Sequence, residues 1–287
     1  MAITVNTKLI PLLGTPLAQS FSPRMQNAAY QAIDHDAHYF PLEVGTEHLG
    51  DIIRALRHMN VPGFAVTKPN KIAVLPYLDE LDDLAAKMGA CNTVTNIGGV
   101  LKGYNTDGDG AVDDLIQAGV NPAEHVFFSL GAGGAGKAVC FTLAHHGAKH
   151  IYIASRSSSC ETLADELNET FGPIATACRV SDQARMLDMV KRSTVLLNLA
   201  GVGMYPNTQD TWIDKAHLSH RPICFDATYN PIKTQFLLDA AAVGCQTING
   251  IGMVIRQGAR QIKLWTGQEA PYDTMVAEIH KILHVEN

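Results

Sequence analysis

The sequence predicts an α/β protein of two domains, and three observations carry that reading. Short apolar runs alternate with amphipathic helical stretches along the whole chain, the pattern of strands joined by crossover helices. The chain has 287 residues, enough for two separate cores. A glycine-rich turn, Gly131 to Gly136, falls between a strand pattern and a helix pattern near the middle of the chain.

The elements follow in order. Lys8 to Leu13 reads as a strand. Pro23 to Ile33 reads as a helix with Ser22 as N-cap and Pro23 at its first position. His38 to Glu43 is a second strand and His48 to His58 a second helix. Gly63 to Thr67 is a third strand, ending in the polar loop Lys68-Pro69-Asn70-Lys71. This alternation predicts a parallel sheet. Asp109 to Ala118 reads as a connecting helix. Val126 to Leu130 is a strand, the glycine turn follows, and Lys137 to His146 is a helix that Gly147 ends from the C′ position. Further strands are expected at Ile151 to Ser155, Val195 to Leu199, Pro222 to Asp226 and Thr247 to Ile248. Helices are expected at Gly252 to Leu264 and Asp273 to Leu283, packing back on the first domain.

Composition excludes several classes. Hydrophobic residues make up 46% and charged residues 17%, which is globular and not disordered. A net charge of -6 without a basic stripe argues against nucleic-acid or membrane-surface binding, since phosphate-rich partners need clustered Lys and Arg. No apolar run is long enough to span a membrane, and the start MAITVNTKLIPLLGTPL lacks the basic n-region of a signal peptide. Six scattered cysteines without a CxxC pair fit a reduced, cytoplasmic protein. No metal is expected: HExxH is absent, and the adjacent His145 and His146 diverge on a helix.

The turn Gly131-Ala132-Gly133-Gly134-Ala135-Gly136 satisfies GxGxxG in a strand–turn–helix context. Gly131 permits the tight turn and Gly133 lets backbone approach a pyrophosphate. The helix N-terminus supplies N–H groups and the positive end of its dipole. The chain therefore reads as binding a dinucleotide in a Rossmann-type, doubly wound domain. An Asp or Glu ending the next strand would claim a ribose 2′-hydroxyl and repel a 2′-phosphate. Here that place reads Ser155-Arg156-Ser157-Ser158-Ser159, rich in donors and without an acid before Glu161. Arg156 and the serine hydroxyls suit the 2′-phosphate of NADP over NAD; the same Arg in a solvated surface loop is the plain alternative.

Four polar clusters mark the first domain: Ser20-Phe21-Ser22-Pro23, Thr67 to Lys71, Gly89 to Thr93, and Gly103 to Asp107. Each alone reads equally as a cap or turn. Together, SFSPRMQN, AVTKPNK, GACNT, GYNTDGDG, GAGGAGKA, FDATYNPIKT and GIGMVIRQGA occur in order between Ser20 and Ala259. This series resembles the shikimate dehydrogenase family, including its quinate/shikimate branch.

The resemblance implies an N-terminal substrate-binding domain over 1–107, completed by C-terminal helices over 252–287. It implies an NAD(P)-binding Rossmann domain over 108–251. Lys71 matches the catalytic lysine and Asp107 its acidic partner. Ser20 and Ser22 match hydroxyls that hold the substrate carboxylate. Thr67, Asn92 and Gln257 match contacts to ring hydroxyls and carboxylate, and Tyr229 a tyrosine of the substrate site. Gly131, Ala132, Gly133, Gly134 and Ala135, with Ser155, Arg156 and Ser157, match the cofactor site, as do Ala227, Gly250 and Met253 on its nicotinamide side. The implied reaction is the reversible NADP-dependent reduction of 3-dehydroshikimate to shikimate, in aromatic amino acid biosynthesis on the chorismate pathway. Reducing a ring ketone leaves an alkoxide that needs a proton donor, a role a Lys ammonium oriented by a carboxylate fills.

Departures from the family pattern bear on substrate range and cofactor choice: Ala65 stands where Asn is common, Gln26 where His is common, Ala200 for Thr and Ser155 for Asn. The alternatives are a quinate/shikimate dehydrogenase using NAD or both cofactors, and a non-catalytic dinucleotide-binding regulator. A pure binder has no need of both Lys71 and Asp107. A homodimer is compatible with the sequence and not specified by it.

Overall fold

The structure is a computed structural model and describes residues 3–18, 20–59 and 61–283. The domain limits expected at residues 1 and 287 lie outside the described residues. The chain divides into two compact units. One comprises Met1–Thr106 with Ile255–Asn287, the other Asp107–Val254.

The first unit opens with β1 (Lys8–Gly14), α1 (Ser22–Ala32), β2 (Ala37–Glu43), α2 (Leu49–His58), β3 (Gly63–Val66) and the one-turn helix α3 (Asn70–Ala73). It continues through β4 (Glu80–Leu81), α4 (Asp83–Met88), β5 (Thr93–Ile97) and β6 (Val100–Tyr104). The helix α5 (Thr106–Gln117) then leads into the second unit. That unit holds β7 (Val126–Leu130), α6 (Gly134–His145), β8 (His150–Ser155), α7 (Ser159–Phe171), β9 (Ala175–Arg179) and α8 (Gln183–Arg192). After these come β10 (Val195–Asn198), β11 (Ile223–Asp226), α9 (Gln235–Ala242) and β12 (Thr247–Ile248). The chain ends with α10 (Ile251–Thr266) and α11 (Tyr272–Ile282).

The first sheet has the order β2-β1-β3-β5-β6-β4. It is mixed, not parallel throughout as the alternation predicts. β1 runs parallel to β2 and β3, whereas β5 is antiparallel to both β3 and β6. The reversal comes from Gly98-Gly99, both at positive φ (62° and 89°), a two-residue loop of the kind that matches strand twist in a hairpin. The core of this unit gathers Leu13, Leu49, Ile53, Phe64, Val94 and Leu101. At the other end of the chain, α11 packs on α1, with Arg24 bonding Glu278 at 2.8 Å. The helix α4 is closed at both ends, by the Asp82 carboxylate accepting from Ala85 N–H at 2.9 Å and by Gly89 in the left-handed region.

The second sheet is parallel and ordered β12-β11-β10-β7-β8-β9. Read from β9, this is the 3-2-1-4-5-6 order of a Rossmann sheet, with its switch point between β7 and β10. β9 and its flanking helices α7 and α8 are additions to the elements expected from sequence. The helix α6 is buried on nearly every face, as a helix lying on such a sheet is. It starts at Gly134, three residues before the expected Lys137, so part of the glycine motif is the helix's own first turn. Its far end closes as predicted: Gly147 has φ 78°, and Ala148 N–H donates to the Leu143 carbonyl at 3.0 Å.

Candidate functional site

In the first unit, strand ends bring the polar clusters together. β1 and β3 run parallel, so the chain leaving Gly14 and the chain leaving Val66 emerge at the same end of the sheet. β5 runs the other way and begins there: Val66 N–H donates to the Asn92 carbonyl at 2.8 Å, and Asn92 N–H to the Tyr104 carbonyl at 3.0 Å. Ser20 and Ser22, Thr67 to Lys71, Asn92 and the 105–106 segment therefore share one sheet end. Cys91 N–H donates to the Lys71 carbonyl at 2.8 Å, tying the GACNT segment to α3.

Ser22 is not the helix cap predicted for it. Phe21 holds the N-cap position with αR dihedrals, Ser22 is the first helical residue, and no side chain caps the turn. The fixed φ of Pro23 suits the first turn at either of its opening positions, so the boundary slips by one residue. The slip leaves the Ser22 hydroxyl without a capping role. Among the described residues, the hydroxyls of Ser20, Ser22 and Thr67 make no hydrogen bond within the protein. Lys71 lies on α3 and not in an open loop: Asn70 N–H bonds the Thr67 carbonyl at 2.8 Å and Val74 N–H the Asn70 carbonyl at 2.9 Å.

Asn92 is buried, at 3% exposure. Its Oδ1 accepts from Thr106 N–H and from the Thr93 hydroxyl, each at 2.8 Å. It thus anchors the first residue of α5, immediately before Asp107. Burial pushes the neighbouring Cys91 thiol up to about 12, so this cysteine stays protonated and is no nucleophile. Gln257 lies on α10, next to Gly258, whose carbonyl accepts from Gln26.

In the second unit the glycine turn sits at the switch point. Gly131 has φ 110°, and a β-carbon there would lie 2.8 Å from the Leu199 carbonyl carbon at the end of β10. Gly133 and Gly134 face open space: a β-carbon at either meets nothing within 4 Å. No side chain caps α6, and no acid occupies its first turn. Exposed N–H groups, room against bare backbone and a helix N-terminus are what a pyrophosphate requires, so Gly131 to Ala135 fit a dinucleotide. Lys137 is committed elsewhere, to Glu166 at 2.8 Å.

The loop after β8 differs from expectation in one respect. The Ser155 hydroxyl donates to the Ser157 carbonyl at 2.6 Å and accepts from Cys160 N–H at 3.2 Å. It fastens the start of α7 and is not a spare donor for phosphate. Arg156 is exposed and, among the described residues, its side chain makes no hydrogen bond or ion pair. Arg179, opposite Ser155 on β9, is paired with Glu161, whose carboxyl falls to about 2 through hydrogen bonds from Cys160 and Arg179.

On the other side of the switch point Asp226 is fully buried. It accepts from Asn198 Nδ2 at 2.9 Å, the Thr234 hydroxyl at 2.7 Å and Thr228 N–H at 2.8 Å. Burial raises its carboxyl above the ordinary value against the pull of those three donors. The cluster shapes the segment carrying Ala227 and Tyr229. Gly250 closes on it, since a β-carbon there would lie 2.3 Å from the Ala227 carbonyl oxygen. Met253 follows, 9% exposed, on α10. Asn198, Asp226 and Thr234 carry no site assignment from the sequence; Asp226 and Thr234 both lie within FDATYNPIKT, and that motif is the signal that could have found them.

Among the described residues no group of His, Cys, Asp or Glu is arranged to hold a metal ion, and no helix is long and apolar enough to cross a membrane.

Comparison with known proteins identifies this arrangement. Residues 12–94 match the model of the shikimate dehydrogenase substrate binding domain, and residues 250–279 that of the shikimate 5′-dehydrogenase C-terminal domain. Shikimate dehydrogenase (NADP(+)) of Alkaliphilus metalliredigens is 38% identical over 273 residues, covering 94% of this chain and 96% of the relative. The chain belongs to the shikimate dehydrogenase family. A second member of the family, shikimate dehydrogenase (NADP(+)) of Moorella thermoacetica, is 38% identical over 274 residues, 95% of this chain and 92% of its own. Among solved members, shikimate 5-dehydrogenase from Listeria monocytogenes in complex with shikimate and NAD superposes with a TM-score of 0.94 at 36% identity, covering 97% of this chain and 98% of that one. The chain is thus an α/β oxidoreductase of this family, with a substrate-binding domain and a Rossmann-like domain.

Proposed function

We propose that this chain catalyses the reversible reduction of 3-dehydroshikimate to shikimate with NADP as cofactor. The observation that carries the reading is the set of uncommitted hydroxyls of Ser20, Ser22 and Thr67 at the sheet end that also bears Lys71. Such a set of donors suits a small carboxylated polyol, and the family relatives bear the name shikimate dehydrogenase (NADP(+)).

Ser20 and Ser22 hold the carboxylate, and Thr67, Asn92, Gln257 and Tyr229 contact the ring oxygens and carboxylate. Lys71 donates a proton to the oxygen of the reduced carbonyl, and its ammonium stabilises the charge that develops there. Asp107 orients that ammonium, and in the reverse direction the Lys71 amine, held by Asp107, takes the hydroxyl proton back. Gly131, Ala132, Gly133, Gly134 and Ala135 hold the pyrophosphate, Ser155 and Ser157 shape the loop from which Arg156 reaches the 2′-phosphate, and Ala227, Gly250 and Met253 border the nicotinamide. NADPH supplies the hydride. The substrate-binding part is residues 1–107 with 252–287 and the cofactor-binding part 108–251. Six buried free thiols support a reducing, cytoplasmic setting, and a homodimer is compatible with this reading.

A turnover assay decides the reading. Shikimate oxidation with NADP is the expected main activity. Faster turnover of quinate with NAD replaces it with the quinate/shikimate alternative, and binding of NADP without any turnover replaces it with a regulator.

A further inference from the structure

We propose that Gln26, Gln261 and Thr93 form a positioning relay that fixes the Asn92 amide with its NH₂ group toward substrate. The inference rests on the reading of Asn92 as a substrate contact.

All four side chains are buried: Gln26 and Thr93 at 0% exposure, Gln261 and Asn92 at 3%. Gln26 Nε2 donates to Gln261 Oε1 at 3.0 Å and to the Gly258 carbonyl at 3.2 Å. Gln261 Nε2 donates to the Thr93 hydroxyl oxygen at 3.0 Å. The Thr93 hydroxyl donates to Asn92 Oδ1 at 2.8 Å, where Thr106 N–H also arrives at 2.8 Å.

The chain has a direction. A threonine hydroxyl owns one proton. Because Gln261 donates into the Thr93 oxygen, that proton goes outward, and Asn92 Oδ1 at 2.8 Å takes it in preference to the Thr106 hydroxyl at 3.4 Å. The two lone pairs of Oδ1 are then filled by Thr93 and by Thr106 N–H, both closer than the Thr106 hydroxyl at 3.3 Å. Asn92 is barred from turning its carbonyl outward. Its Nδ2 spends one hydrogen on the Thr106 hydroxyl at 3.1 Å, and the second serves a ligand oxygen. Asn92 therefore recognises an acceptor: a ketone oxygen, a carboxylate or a hydroxyl lone pair.

Direction is held at the far end at some cost. Gln26 Oε1 is a buried acceptor without a partner among the described residues. Its amide is oriented by two acceptors, the Gly258 carbonyl and Gln261 Oε1, and turning it over would oppose oxygen to oxygen at both. Buried polar networks of this kind fix orientation more than they add stability.

Steady-state kinetics with shikimate and NADP test the relay in Gln261→Met, Thr93→Val, Thr93→Ser and Asn92→Ala, with the melting temperature of each. Gln261→Met and Thr93→Val should raise KM for shikimate about 10-fold, leave KM for NADP unchanged, and lower kcat far less. Thr93→Ser keeps the hydroxyl and should restore KM. Added to Asn92→Ala, Gln261→Met should raise KM no further. Should Thr93→Val fail to fold, Gln26→Met interrupts the same chain from its other end and carries the same expectation. A raised KM in Asn92→Ala with normal KM in Gln261→Met and Thr93→Val overturns the relay and leaves Asn92 in place. Full additivity of Asn92→Ala and Gln261→Met also overturns it. An unchanged KM in Asn92→Ala removes Asn92 from the site, and the relay with it.

Discussion

A β-carbon at Gly136 would lie 2.2 Å from the carbonyl oxygen of Gly131. The first turn of α6 and the end of β7 are in backbone contact, and that contact sets where the helix N-terminus points. Gly133, three residues earlier, is the reverse case, with open space and extended dihedrals that any residue adopts. The two glycines should therefore separate stability from binding. Gly136→Ala should destabilise the fold by about 1–3 kcal/mol, as overpacking does. Gly133→Ala should melt like the wild type and bind NADP at least about 10-fold more weakly, because its methyl takes the space of the pyrophosphate. Thermal melts and cofactor titration read both; normal NADP binding by Gly133→Ala would move the phosphates elsewhere.

Lys71 is placed by α3 and by the Cys91 hydrogen bond to its carbonyl, so removing its side chain leaves its backbone anchors intact. Lys71→Ala should lower kcat about 10²–10⁴-fold with a much smaller change in substrate affinity. Near-normal turnover in that variant takes the lysine out of the proton transfer.

Ser20 and Ser22 are expected to behave alike toward substrate. With Ser22 relieved of capping, Ser22→Ala should leave stability within about 0.5 kcal/mol of the wild type. Both serine-to-alanine variants should raise KM for shikimate by about 10-fold or more, the loss of one hydrogen bond to a charged acceptor. A large drop in melting temperature for Ser22→Ala would return it to a structural role.

The contrast between these serines and the relay shows what is legible in a sequence. Local chemistry reads well: GxGxxG, the strands around it and the left-handed Gly147 all follow from residues within one turn of each other. The hairpin of β5 and β6 carried a readable signal in Gly98-Gly99, masked by the alternation that suggested a parallel sheet. Ser22 as a cap failed by one residue, because Pro23 suits the first turn from either register. Gln26, Thr93 and Gln261 could not be grouped from sequence at all, since Gln26 and Gln261 lie 235 positions apart and meet only once α10 packs into the first unit. Ser155 shows a related limit: a hydroxyl in a donor-rich loop is spent on the loop itself.

Asp226 gives a pH dependence whose sign is fixed. Its folded-state pKa is raised by burial, so its contribution to stability is complete below the unfolded value of about 3.9 and declines as pH rises through the folded value. Asp226→Asn removes that titration. The stability difference, wild type minus variant, should be greatest in acid and shrink as pH rises toward neutrality, read from urea midpoints across that range. A difference that grows with pH would mean that the three donors around the carboxylate outweigh its burial.

On the proposed reading, cofactor choice turns on Arg156. The loop after β8 offers no acid at the end of the strand. Glu161 is spent on Arg179, and the Ser155 hydroxyl is turned into the loop. Arg156 is the exposed cation left beside the strand end, and a 2′-phosphate is the partner that a guanidinium fork fits. A contact of this kind is worth about 1.5–3 kcal/mol, or about 10- to 150-fold in affinity. The wild type should thus favour NADP over NAD by at least about 10-fold in kcat/KM. Arg156→Ala should erase most of that preference by weakening NADP alone, since NAD has no phosphate there to lose. A salt series adds a second reading: the NADP preference should shrink as ionic strength rises, because the pair is exposed and screened. Equal weakening of both cofactors by Arg156→Ala would place the guanidinium on the adenine ring they share, and the 2′-phosphate would then need another partner.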